Sequence, residues 1–198
     1  INMANYRIYV EKRPAFRVEA ESLRQELNEN LQLHIAQLRY INVYDLFGFT
    51  PDLLERSRYS VFGEVVTDIV SDTCDLTGQR DLAVEFIPGQ FDQRASSAVD
   101  CVHLIDPAAD IQIRSARLLI FDDTISDADL ARIRHYYINA VESREKDLSR
   151  LEQIQHADVK PLAQLDGFLD MREEDLAPFC KQWGLARNAD VLREVLRY

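Results

Sequence analysis

Catalysis needs convergent groups, and the residues that could supply them are scattered in this chain. Cys101 and His103 stand two residues apart in a stretch that reads as helix, a spacing that places them on different faces, so no metal or nucleophile pair is expected there. His34, His135 and His156 show no ligand spacing and read as solvated or satisfied histidines. Asp122, Asp123, Asp127 and Asp129 form an acidic cluster without the alternating ligands and glycine of a calcium loop. A strand exit leading into a helix N-terminus, whose dipole favours carboxylates, explains it better. The six glycines form no Gly-rich loop between strand and helix, so a phosphate cradle is not expected, and Gly89 reads as turn chemistry after Pro88. Glu19, Glu21, Glu26 and Glu29 read as a solvated helix face. No catalytic, cofactor-binding or metal-ligating residue is therefore expected in this chain. Phe91, Asp92, Gln93 and Arg94 differ in kind. An aromatic, a capping acid and an arginine directly after a Pro-Gly turn suit a contact between domains, unless Asp92 is simply a cap and Phe91 a core residue.

The elements that position these groups follow from apolar spacing. Tyr6 to Val10 is aromatic and β-branched and reads as a strand, and Val18 to Leu31 carries apolar residues near helical spacing. Leu38 to Phe47 is a second strand closed by Gly48, and a helix from Pro51 runs to Gly63, a natural left-handed stop. Val65 to Val70 makes a short third strand. The second half repeats the plan: strand Leu82 to Ile87, helix Gln93 to Ile105 capped by Asp92, strand Ile111 to Phe121, and a helix capped by Ser126 or Asp127 that ends at Asn139.

Phe16 and Phe91 lie 75 residues apart, as do Leu38 and Ile113, while Arg56 and Arg132, Gly63 and Asn139, and Val65 and Val141 lie 76 apart. Glycine and asparagine tolerate the left-handed position best, so Gly63 and Asn139 are both expected at positive φ. The expected fold is α+β: two tandem βαβαβ-like, ferredoxin-like units, about 6–70 and 82–146, related by a pseudo-twofold. Residues 1–150 are read as this duplicated domain and 151–198 as a helical linker region. In the latter, helices are expected from about Glu173 to Trp183, with Pro178 straining the first, and from near Asn188.

Composition bounds the partners. With 198 residues and 46% hydrophobic content the chain can build a packed core. A net charge of -11 and a pI near 4.8 argue against nucleic acid and anionic membranes as partners. No apolar stretch approaches the roughly 20 residues of a membrane helix. Cys74, Cys101 and Cys180, odd in number and widely spaced, suit reduced thiols in the cytoplasm. Ile1 and Asn2 ahead of Met3 read as a tag scar.

Pro88, Gly89, Gln90, Phe91, Asp92, Gln93, Arg94, Ala95 and the run Tyr137, Ile138, Asn139, Ala140, Val141, Glu142, Ser143, Arg144, Glu145, Lys146 resemble signature segments of the large, single-chain form of phosphoribosylformylglycinamidine synthase. Tyr9 to Lys12 and Asn42 to Phe47 also fit, and Gly184, Leu185, Ala186 resembles the start of that family's linker domain, although Arg187 stands where an apolar residue is expected. The resemblance implies an N-terminal domain like a fused dimer of the small companion subunit found in split forms of the enzyme. It further implies a purine-biosynthesis ligase that releases ammonia from glutamine in a C-terminal domain and passes it to a synthetase domain, where ATP and Mg serve amidine formation. The chemistry would lie beyond Tyr198, and this chain would be a docking fragment for the synthetase and glutaminase domains of the same polypeptide. Gly89, Gln90, Phe91, Asp92, Arg94, Asn139, Glu142, Ser143 and Arg144 are the docking residues the resemblance implies. The alternative is a regulatory module that binds a small ligand between its halves.

Overall fold

Apolar, aromatic and β-branched runs around Ile8, Val43, Val84 and Leu118 read as strands, and the computed structural model, which describes residues 4–151, joins these strands in one sheet. The chain divides into two compact units, Ile1–Gln153 and Ile154–Tyr198, of which the first is described here. The expected helices near Glu173 and Asn188, the linker start at Gly184, His156 and Cys180 lie outside the described residues.

The elements run β1 (Ala4–Lys12), α1 (Val18–Leu31), β2 (Leu38–Phe49), α2 (Pro51–Ser57), β3 (Asp68–Ser71), β4 (Arg80–Phe86), α3 (Gln93–Ile105), β5 (Gln112–Phe121), α4 (Asp127–Tyr137) and β6 (Ser143–Glu145). The sheet is antiparallel throughout, in the order β3-β1-β2-β5-β4-β6. The fold is therefore α+β, and each half is a βαβαβ unit with the same local strand order, β3-β1-β2 and β6-β4-β5. The halves join through the long β2–β5 pairing, from Leu38↔Phe121 to Phe47↔Gln112. A shift of 75 carries Leu38 to Ile113 and Leu46 to Phe121, so the pair Leu38↔Phe121 becomes the pair Ile113↔Leu46. The same shift carries Asn42 onto its own partner Arg117.

Caps recur on the same spacing. Thr50 Oγ1 accepts from the Leu53 N–H at 3.1 Å and Ser126 Oγ from the Asp129 N–H at 3.1 Å, satisfying donors that the first helical turn leaves open. All helices described here cover one sheet face. Ile8, Val10, Tyr44, Leu46 and Ile113 pack under Leu53, Leu54, Ala95, Ala98 and Val102, and Leu38, Leu82, Val84, Leu119 and Phe121 pack with Leu27 and Ile133. Burying side chains such as Leu27 and Ile133 stabilises the fold by about 2 kcal/mol each. On the opposite face Ile41, Val43, Ala83, Ala116, Leu118 and Ile120 form a second apolar layer, with Tyr9, Cys74, Leu76 and Leu148 against it. Cys74 and Leu76 belong to the segment 72–79, which must cross from the β3 edge to β4 and so runs over this face. Among the described residues no helix is long and apolar enough to cross a membrane.

Two expectations about backbone conformation need correction. Gly63 has φ −151, extended backbone open to any residue, and Asn139 is not at positive φ either. The helix from Pro51 does not stop left-handed at Gly63; it widens into a π-helical turn over Arg58–Phe62. Gly63 answers to space instead, since a Cβ there would lie 2.8 Å from Val70 Cγ2. Asn139 forms a side-chain turn, its Oδ1 accepting from the Val141 N–H at 3.2 Å. The left-handed helix end belongs to Gln32, φ 52, after α1.

Candidate functional site

The two segments around Gly89 and Asn139 are about 50 residues apart in sequence and adjacent in space. Phe86 pairs with Ser143 in the β4–β6 ladder, and the Ile87 N–H donates to the Glu142 carbonyl at 3.0 Å. The chain then turns: the Gln90 N–H donates to the Ile87 carbonyl at 3.1 Å, and Gly89 sits at φ +94, which a side chain would strain. Gly89 and Gln90 are exposed at this corner, as are Asn139, Glu142 and Arg144. Phe91, 72% exposed, is no core residue. Ser143 is the exception: it is buried, and its hydroxyl donates to the Asn139 carbonyl at 3.0 Å, so it builds the corner from inside.

Asp92 works harder than a cap alone. Its carboxylate accepts from the Ala95 N–H at 3.0 Å, the Ser115 N–H at 2.8 Å and the Ser115 hydroxyl at 2.7 Å, pinning the start of α3 to β5. That pin sets Arg94 over the middle of the sheet. There a cleft of about 730 Å³ opens, with Arg94, Ser97 and Cys101 of α3 on one wall and Glu19 of α1 opposite. Tyr40, Tyr44, Ser115 and Arg117 line it from β2 and β5, and Phe86 and Phe91 line one end. The Arg117 guanidinium lies 5.8 Å from the centre of the Phe86 ring and 5.2 Å from that of Tyr137, two cation–π contacts that fix its direction.

Burial and neighbouring charges shift the titratable groups of the cleft. Burial pushes the Tyr40 hydroxyl well above its ordinary range, and the neighbouring Tyr137 adds to this. Burial raises Tyr137 too, against the opposing pull of Arg117. Burial opposes the charge on Arg94, but the Tyr44 hydroxyl and the fields of Tyr44, Tyr40 and Glu19 outweigh it and hold Arg94 above its ordinary value. Among the described residues neither Arg94 nor Arg117 has a carboxylate within ion-pair distance, whereas Arg7, Arg17, Arg24, Arg39, Arg56, Arg58, Arg80, Arg114, Arg132, Arg134, Arg144 and Arg150 all do.

The sequence reading missed this cleft because its residues come from five elements, α1, β2, β4, α3 and β5, and the turns beside them, with no local motif. The spacing held a clue, since Glu19 and Arg94 are 75 apart, as are Tyr40 and Ser115, and Asn42 and Arg117. The 75-residue correspondence thus gathers Glu19 with Arg94 and Tyr40 with Ser115 in one cleft while giving them different chemistry. The acidic cluster resolves into separate partners: Asp122 accepts from the Ala36 and Gln37 N–H groups at 2.9 and 3.1 Å, Asp127 pairs with Arg80, and Asp129 with Arg132. Cys101 is exposed on the cleft wall, and His103 Nε2 meets the Ala109 carbonyl at 3.0 Å, so the two point apart as expected. No model of a known protein family matches this chain, and no curated protein does.

Proposed function

We propose that this chain is a docking domain of a phosphoribosylformylglycinamidine synthase of the large, single-chain type, a cytoplasmic ligase of purine biosynthesis. The observation that carries the reading is the corner itself. The two segments that resemble the family's signatures, around Phe91 and around Glu142, are joined by the Ile87–Glu142 hydrogen bond and present Gly89, Gln90, Phe91, Glu142 and Arg144 together. An exposed aromatic and an arginine beside polar groups are the composition of an interface centre with a polar rim. The internal correspondence of the halves supports the same reading, because a fused pair of companion-like subunits would carry it. In this role the domain holds the synthetase and glutaminase domains of the same polypeptide so that ammonia passes between them. ATP and Mg would be bound there and not by this chain.

The test is reconstitution in trans. The purified chain alone should neither release ammonia from glutamine nor hydrolyse ATP. Added to a synthase of this family lacking its N-terminal domain, it should restore glutamine-dependent amidine formation, and Phe91→Ala should weaken the association by about 2 kcal/mol. Failure to associate, or undiminished association of Phe91→Ala, removes the reading. The second reading, a module that binds a small ligand between its halves, is favoured by a different observation, the central cleft.

A further inference from the structure

We propose that the cleft between α1 and α3 is a binding site for a small organic oxyanion, a phosphate or carboxylate borne on a flat apolar group. The proposal does not rest on the docking reading.

The first ground is charge. Arg94 and Arg117 are the guanidiniums of this domain's cleft that have no carboxylate in ion-pair distance among the described residues, and both line the same cavity. In a protein of net charge -11, where most other arginines among the described residues are paired, two cations without a carboxylate partner in one cleft leave an anion as the complement. A guanidinium presents a planar fork of donors that matches an oxyanion, and Arg117 is already oriented by the Phe86 and Tyr137 rings, so little side-chain freedom is lost on binding.

The second ground is shape. The cavity of about 730 Å³ falls in the range of small-molecule sites, and Phe86 and the exposed Phe91 offer ring faces at one end. Glu19, exposed on the opposite wall, is the one carboxylate among the lining residues and opposes an anion.

The experiment is titration of the full chain, by calorimetry and by amide chemical shifts, with inorganic phosphate, phenyl phosphate and benzoate. Saturable binding of phenyl phosphate is expected, tighter than inorganic phosphate because of the ring. Comparison with benzoate distinguishes phosphate from carboxylate as the preferred head. Arg94→Ala, whose side chain is exposed, should weaken phenyl phosphate about tenfold, and Arg117→Lys, which keeps the charge and removes the fork, should weaken it by a similar factor. Glu19→Gln should tighten it severalfold. No saturable binding of any of the three, or binding that Arg94→Ala and Glu19→Gln both leave unchanged, overturns the proposal. Because the measurement needs no partner domain, it can fail while reconstitution in trans succeeds, and the reverse.

Discussion

At the scale of single residues, Asp92 and Arg94 are two positions apart and serve opposite ends. Removing the Asp92 carboxylate takes the cap from α3 and leaves the N–H of buried Ser115 without its acceptor. A lost cap costs about 1 kcal/mol and an unsatisfied buried donor about as much again, so Asp92→Ala should lower stability by about 2 kcal/mol. Arg94 is exposed and unpaired in charge, so Arg94→Ala should stay within about 0.5 kcal/mol of the parent. Urea unfolding of the two variants decides it: an Arg94→Ala midpoint as low as that of Asp92→Ala would make Arg94 structural. The capping role of Asp92 was legible in the sequence because a cap is a local arrangement. Its bonds to Ser115, 23 residues away, were not, since they depend on which strand lies under the helix. Arg94 was singled out for its neighbours in the chain, while its place is set by the cleft.

At the scale of elements, the long strands and helices were legible because each writes its own period, and α3 spans the expected Gln93 to Ile105, whereas the strand expected from Val65 begins only at Asp68 and the three-residue β6 was not read. Glycines were harder to read, because a glycine can answer to conformation or to crowding and the sequence does not say which. Gly48 answers to both: φ is +78, and a Cβ would lie 2.3 Å from the Asp110 carbonyl oxygen. Gly63 meets side-chain atoms and no backbone, Val70 Cγ2 at 2.8 Å and Asp68 Cβ at 3.2 Å, and its φ is unstrained, so a small shift accommodates a Cβ. Gly48→Ala should therefore cost about 3 kcal/mol and Gly63→Ala about 1, measured by thermal melts, and equal costs would contradict the geometry. Asp68 at the start of β3 and Asp122 just past β5 are two acids whose burial is outweighed. Asp68 takes the Lys12 ammonium at 2.9 Å and the Glu64 N–H at 2.9 Å; Asp122 takes the N–H groups of Ala36, Gln37 and Thr124. Both sit below the usual carboxylate range. A depressed folded value means stability that is complete above the unfolded value, near 3.9, and lost as pH falls through the folded one. Urea midpoints followed downward from about pH 5 should decline below about pH 4, and less steeply in Asp122→Asn. An identical slope in that variant would show that Asp122 contributes nothing to acid unfolding.

At the scale of the whole molecule, the halves are held by more than their shared sheet. The Glu11–Arg39 pair in the first half has its counterpart in Glu85–Arg114 in the second, at 2.6 and 2.5 Å, on the face away from the helices. Glu85 also belongs to a larger group. Lys146, just past β6, reaches back over the sheet, its backbone N–H donating to the Ala83 carbonyl at 2.8 Å and its ammonium lying 2.8 Å from Asp45 and 3.6 Å from Glu85. Arg7 closes the group on Asp45 at 2.6 Å and donates to the carbonyls of Leu148 and Arg150, so β1, β2, β4 and the segment 146–150 share one buried charge cluster. None of this was legible in the sequence, because Arg7 and Leu148 are 141 residues apart and no local pattern marks the pairing. Taking charges from water is costly, and removing one member leaves carboxylates buried together with less compensation. Lys146→Ala should therefore destabilise by about 3 kcal/mol, although the residue stands next to the end of the last, three-residue strand, where a surface lysine would cost almost nothing. Asp45→Asn in the same background should recover part of that loss, because it removes the charge that Lys146 compensated; strictly additive losses in the double variant would show that the cluster does not act as a unit.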